Sequence, residues 1–78
     1  MTVTIYTTNH CPYCHAAKDF FKANNVKFTE LNVEEDHKAA EEMVEKSGQM
    51  GVPVIDVNGT IIIGFNKSAI EKELKLKK

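Results

Sequence analysis

Residues Val3 to Thr7 interleave branched apolar side chains and a tyrosine with threonines, the pattern of a short strand. Pro12 follows, one residue past Cys11, where proline suits the first position of a helix. Ala16, Ala17, Phe20 and Phe21 then recur at helical spacing, and Asn24-Asn25 ends the run. Val26 to Val33 alternates imperfectly through Val26, Phe28, Leu31 and Val33 and predicts a second strand. Glu34, Glu35 and Asp36 suit the positive end of a second helix. That helix would carry Ala39, Ala40, Met43, Val44 and Ser47 on one face, with Gly48 as its C-cap. Val54 to Val57 and Thr60 to Ile63 flank Asn58-Gly59, the strongest short hairpin signal. After Gly64, a third helix is predicted over Lys67 to Leu76, with Ala69, Ile70 and Leu74 as its apolar stripe. Lysines 75, 77 and 78 favour its C-terminal end.

The element order is β-α-β-α-β-β-α. Two strands joined through a helix should lie parallel with a right-handed crossover, and the hairpin adds antiparallel strands. The expectation is an α/β fold: a small four-stranded mixed sheet covered by three helices. Without repeats, low-complexity stretches or linkers, residues 1-78 read as a single domain.

Length turns attention to the cysteines. A chain of 78 residues buries only about 60% of its unfolded surface, so its core is marginal and a staple would help. Its two cysteines, Cys11 and Cys14, would close a loop of four residues, too short to stabilise much. The pair is therefore expected to serve chemistry.

Charge and hydropathy exclude other classes. Ten lysines, no arginine and eleven acids leave a net charge of −1, which argues against a nucleic-acid binder. No apolar run approaches the roughly 20 residues that span a bilayer, and the N-terminus lacks a signal-peptide pattern. A soluble, monomeric, cytoplasmic protein is the expectation, and in that compartment paired cysteines are catalytic or metal-binding more often than structural.

Cys11-Pro12-Tyr13-Cys14 stands at a predicted strand-to-helix junction. With Cys11 at the N-cap, free backbone N–H groups and the helix dipole favour its thiolate, the species that attacks disulfides. Cys14 lies one turn on, within bonding reach and more covered. Cys11 would attack and Cys14 would resolve. Lys18, one turn further, would add positive potential or stand solvated. A zinc site would need two more ligands from His10, His15 and His37, without the usual H-x₃₋₅-H pair. Cys11 to His15 also spells C-x-x-C-H, the haem-attachment pattern, although no export signal accompanies it.

Cys11-Pro12-Tyr13-Cys14 after a strand, Gly51-Val52-Pro53 before a hairpin and a glycine after that hairpin together resemble the glutaredoxins. The resemblance covers nearly the whole chain. It implies a thioredoxin-like fold and a thiol-disulfide oxidoreductase that uses glutathione as co-substrate, with no tightly bound cofactor and no metal. Its substrates would be protein disulfides and glutathione mixed disulfides. It further implies Cys11 as nucleophile, Cys14 as resolving thiol and Tyr13 bordering the glutathione groove. A cis Val52-Pro53 peptide would face the cysteines, and Val52 would offer its backbone to glutathione. Backbone N–H groups near Phe65 and Asn66 would receive a carboxylate, as helix N-termini do.

The chain also departs from that family. Thr8 stands where many members have lysine, Ala40 where a basic or polar residue is common, and Gly51 where threonine is usual. Lys38, Gln49 or Lys67 would be the substitutes. Gly64-Phe65 is similar to glutaredoxin-like electron donors of ribonucleotide reductase, which thioredoxin reductase reduces. A third alternative, of another class, is a haem or iron–sulfur binding module; in this family the stiff loop containing Pro12 disfavours the cluster. Phe20, Phe21, Phe28, Met43 and Val44 are expected in the core, and Phe65 either there or at an apolar lip. Glu34/Lys38 and Glu42/Lys46 read as helical i,i+4 pairs.

Overall fold

In a computed structural model that describes residues 2–74, the elements run β1 Val3–Thr7, α1 Pro12–Ala23, β2 Thr29–Asn32, α2 His37–Ser47, β3 Val54–Val57, β4 Thr60–Ile63 and α3 Lys67–Leu74. The predicted extension of α3 to Leu76, with lysines 75, 77 and 78, lies outside the described residues. The sheet order is β2-β1-β3-β4. β1 pairs parallel with β2, Thr4 opposite Thr29, and antiparallel with β3, Ile5 opposite Ile55. The hairpin pairs Ile55 with Ile62. Asn58 (φ 52°) and Gly59 (φ 96°) turn it in the left-handed region that a two-residue hairpin requires.

Local chemistry sets the helix ends. Asn25 at φ 57° stops α1, and the Val26 N–H donates to the Phe21 carbonyl at 2.8 Å. Asp36 caps α2, its Oδ1 accepting from the Lys38 and Ala39 N–H groups. Gly48 closes α2 at φ 74°.

The period of two along each strand divides the core. On one sheet face, Val3, Ile5, Ile55, Val57 and Ile62 meet Ala17 and Phe21 of α1 and Ile70 and Leu74 of α3. On the other, Tyr6 and Val54 meet Met43 of α2, with Leu31, Val33, Val52 and Ile61 around them.

Three sequence expectations are corrected. The second strand spans four residues, not Val26 to Val33. Val26 and Phe28 leave the strand to pack, partly buried, on the α1/α3 cluster. Val44 is 37% exposed, because α2 turns Ala39 and Met43 to the sheet and the next position points outward. Glu34 precedes the Asp36 cap, so it forms no helical pair with Lys38. Its carboxylate accepts from the Asn9 N–H at 2.7 Å.

Candidate active site

The sheet gathers the candidate residues at one end. β1 and β3 run antiparallel with Tyr6 opposite Val54, so the exit of β1 toward Cys11 lies beside the entry of β3 at Val52-Pro53. That peptide is cis, as the family resemblance implies, and Pro53 is fully buried. β4 ends at the same place, where the Gly64 N–H donates to the Pro53 carbonyl at 2.8 Å. Gly64 itself sits at φ 79°, a turn that a side chain would strain.

Cys11 is the N-cap of α1, with extended backbone and a sulfur that accepts the Cys14 N–H at 3.1 Å. The Cys14 N–H lies in the first turn of α1, where backbone donors have no acceptor within the helix, so it is free for the sulfur. The two cysteines are joined in a disulfide with Cα atoms 5.2 Å apart. Cys11 keeps 6% of its surface exposed and Cys14 only 1%, the asymmetry expected of an attacking and a resolving sulfur. The loop that leads to Cys11 is braced from β2. Asn32 Nδ2 donates to Asn9 Oδ1 at 2.8 Å, and the Asn9 N–H donates to Glu34. These polar ties had no signature in the sequence, since asparagine and glutamate beside a turn are ordinary there.

A shallow cleft of about 360 Å³ lies beside Cys11, lined by Asn9, His10, Pro12 and His15. Tyr13, 69% exposed, stands in solvent. Among the described residues, no three or more His, Cys, Asp or Glu side chains converge in a way that could hold a metal ion.

Of the side chains expected to substitute as carboxylate binders, Gln49 and Lys67 are engaged elsewhere, and Lys38 stands exposed in the first turn of α2. Lys18 is engaged as well. Lys18 pairs with Glu30 at 2.9 Å, and the same carboxylate oxygen accepts from the buried Thr7 hydroxyl. The Lys18 ammonium holds the Glu30 carboxyl below its ordinary 4.5, and the Thr7 hydrogen bond adds to this against the effect of burial. Lys67 lies over the Phe20 ring, 5.6 Å from its centroid, and Phe65 meets Phe20 edge-on at 5.9 Å. Phe65 is thus partly buried packing on the α1/α3 cluster. Gln49 wraps Gly51: its Nε2 donates to the Gly51 carbonyl at 2.9 Å and its Oε1 accepts from the Gly51 N–H at 2.6 Å. A Cβ at Gly51 would come within 2.7 Å of that oxygen, so glycine here and the inward fold of Gln49 go together. Asn66 Oδ1 caps α3 by accepting from the Ala69 N–H at 3.2 Å.

Thr8 is half-buried just after β1, and Val52 is half-buried against the α2-side cluster. Cys11, Cys14, Thr8, Val52, Pro53 and Gly64 therefore converge at one sheet end. The side chains of Phe65 and Lys67 turn to α1.

Comparison with known proteins agrees with this geometry. The glutaredoxin family model matches residues 3–62. A glutaredoxin-like 8.6 kDa protein of the rubredoxin operon of Clostridium pasteurianum is 47% identical over 70 residues, covering 90% of this chain and 93% of that one. Glutaredoxin 3 of Escherichia coli (strain K12) is 40% identical over 62 residues, covering 80% and 75%. The glutaredoxin-like protein NrdH-redoxin from Escherichia coli, solved for its thioredoxin-like activity profile, superposes with a TM-score of 0.80 at 29% identity, covering 100% and 97%.

Proposed function

The chain belongs to the glutaredoxin family, and from that premise we propose a monomeric cytoplasmic dithiol reductase of protein disulfides. The observation that carries this reading is the placement of Cys11: an N-cap sulfur that accepts the Cys14 N–H, bonded to a neighbour one turn away.

In the reduced protein, the helix N-terminus favours a Cys11 thiolate. That thiolate attacks one sulfur of a substrate disulfide, forms a mixed disulfide and releases the other sulfur as a thiolate. Cys14, losing its proton to solvent, attacks the Cys11 sulfur. The substrate leaves as a dithiol and Cys11–Cys14 is oxidised by two electrons. Glutathione mixed disulfides would need Cys11 alone, since a glutathione thiolate can take the second step.

Glutathione is the reductant that the family supports first, acting as co-substrate without a resident cofactor. Its groove would be bordered by Thr8, Tyr13, Gly51, Val52, Pro53, Gly64, Phe65, Asn66 and Lys67. A second reading has its own support. Lys67 and Gln49, two of the substitutes for glutathione's carboxylate binders, are engaged with Phe20 and Gly51, and Lys18 is held by Glu30, while Lys38 stays exposed. This favours a protein reductase of the thioredoxin reductase type as the electron source and ribonucleotide reductase as an acceptor.

Cys11→Ser should abolish reduction of every disulfide. Cys14→Ser should abolish turnover on protein disulfides and retain it on glutathione mixed disulfides. Retained thiol transfer by Cys11→Ser would overturn the assignment. NADPH oxidation coupled through glutathione reductase or through thioredoxin reductase separates the two electron sources.

A further inference from the structure

Helix α2 carries three glutamates in one turn and a half, and they are not equivalent. Glu42 accepts from the Tyr6 hydroxyl and pairs with Lys46. Glu41 and Glu45 have no ion pair among the described residues. They lie four residues apart, the spacing at which like charges on a helix repel. Between them the surface is apolar. Ala40 and Val44 form the floor of an open cleft of about 470 Å³, and Met50 from the loop after α2 closes one side. Met50 is 78% exposed, an unusual setting for a long apolar side chain, and methionine adapts readily to varied partners. Three residues later the same loop reaches the cis Pro53 beside the cysteines.

Thus an apolar floor is rimmed by two unpaired carboxylates, one loop away from the reacting sulfurs. We propose that this cleft docks a cationic, apolar-anchored segment of the protein whose disulfide Cys11 exchanges with. A lysine or arginine would sit between Glu41 and Glu45 and relieve their repulsion, while an adjacent apolar side chain covers Val44 and Met50. The occupant is fixed by charge: the rim offers only negative groups, so an anionic peptide is repelled and a cationic one attracted. A contact this small is weak, which suits an enzyme that must release its partner after two electrons have passed. The proposal rests on the dithiol reductase reading above.

The test uses two synthetic peptides of equal length with one intramolecular disulfide and one leucine anchor. One peptide has flanking lysines and the other flanking glutamates. Reduced protein is mixed with each, and the peptide dithiol is followed by quenched mass spectrometry. Each rate is divided by the rate on bis(2-hydroxyethyl) disulfide, so any general loss of activity cancels. At low salt the lysine peptide should be reduced faster by about tenfold, the scale on which complementary charge alters encounter rates, and high salt should erase the difference. Glu41→Gln/Glu45→Gln should bring the ratio close to one, and Glu41→Lys/Glu45→Lys should invert it. Met50→Ser should slow the lysine peptide severalfold. Equal rates for the two peptides, or a preference that survives both double variants, would overturn the docking site and leave the reductase reading standing. Failure of the unaltered protein to reduce the small disulfide and both peptides would overturn both.

Discussion

The two faces of the sheet solve different problems. The α1/α3 face is dry and aromatic: Phe21 is fully buried, Phe20, Phe28 and Phe65 pack around it, and Ile5, Ile55 and Ile70 expose nothing. The α2 face has a smaller buried cluster, Tyr6, Met43 and Val54, and its largest side chain, Tyr6, ends in a polar network. The Tyr6 hydroxyl donates to Glu42 and accepts from Lys46 at 3.2 Å, while Lys46 also pairs with Asp56 at 2.9 Å. Burial first, then the Glu42 hydrogen bond, pushes the Tyr6 phenol above its ordinary 10.0. The Asp56 and Tyr6 hydrogen bonds hold Lys46 above its ordinary 10.5. A chain with no structural staple concentrates its cohesion on one face. The other then remains free to present a half-exposed helix to partners.

The contrast can be broken by substitution. Phe21→Ala should cost about 3–5 kcal/mol, because it opens a cavity where the packing is tightest. A marginal domain could lose most of its stability that way, read as a lower denaturant midpoint. Met43→Ala, the matching truncation on the α2 face, should cost about 2–3 kcal/mol, since it takes a smaller side chain out of a smaller buried cluster. If Met43→Ala proved the more damaging, the division of labour would be wrong.

Tyr6→Phe should cost about 0.5–1.5 kcal/mol, because Glu42 and Lys46 can turn to solvent when the hydroxyl is lost. The smallest effect is Glu30→Gln, about 0.2–1 kcal/mol, typical of an exposed ion pair. Its size depends on pH. Glu30 is held below its ordinary 4.5 in the folded protein. The advantage of glutamate over glutamine is therefore complete above about 4.5 and fades as pH falls through the folded value. Urea titrations at pH 7 and pH 3 would measure it, and an advantage that grew on acidification would contradict the Lys18–Glu30–Thr7 arrangement.

Some of this was legible in the residues. The Asn58-Gly59 hairpin, the two-residue alternation of β1 and β3, and Pro12 after an N-cap cysteine are local signals, and each element formed where its signal lay. β2 was overcalled because Val26 and Phe28 are apolar for packing and not for strand periodicity. Val44 was misplaced because a helical stripe has width, and only the angle of α2 against the sheet decides which edge of the stripe is covered. The site divides likewise. Cys11 and Cys14 stood out by spacing and helix-start position, and the structure joins them in a disulfide. Gln49 and Lys67, candidates for a ligand, and Lys18, expected to add positive potential or stand solvated, are committed to Gly51, Phe20 and Glu30 by contacts that no spacing encodes.

The sequence by itself determined the order of elements and the placement of a cysteine pair at a helix N-terminus, because hydrophobic period, capping and an i,i+3 cysteine pair act within one or two turns of chain. Only the tertiary structure decided which charges remain free. A lysine's long stem can reach a carboxylate twelve residues away, as Lys18 does at Glu30, or an aromatic ring across a helix pair, as Lys67 does at Phe20. Net charge therefore predicted little about the surface beside Cys11. On α2, Glu41 and Glu45 beside Met50 remain without an ion pair among the described residues, which only the packed structure reveals.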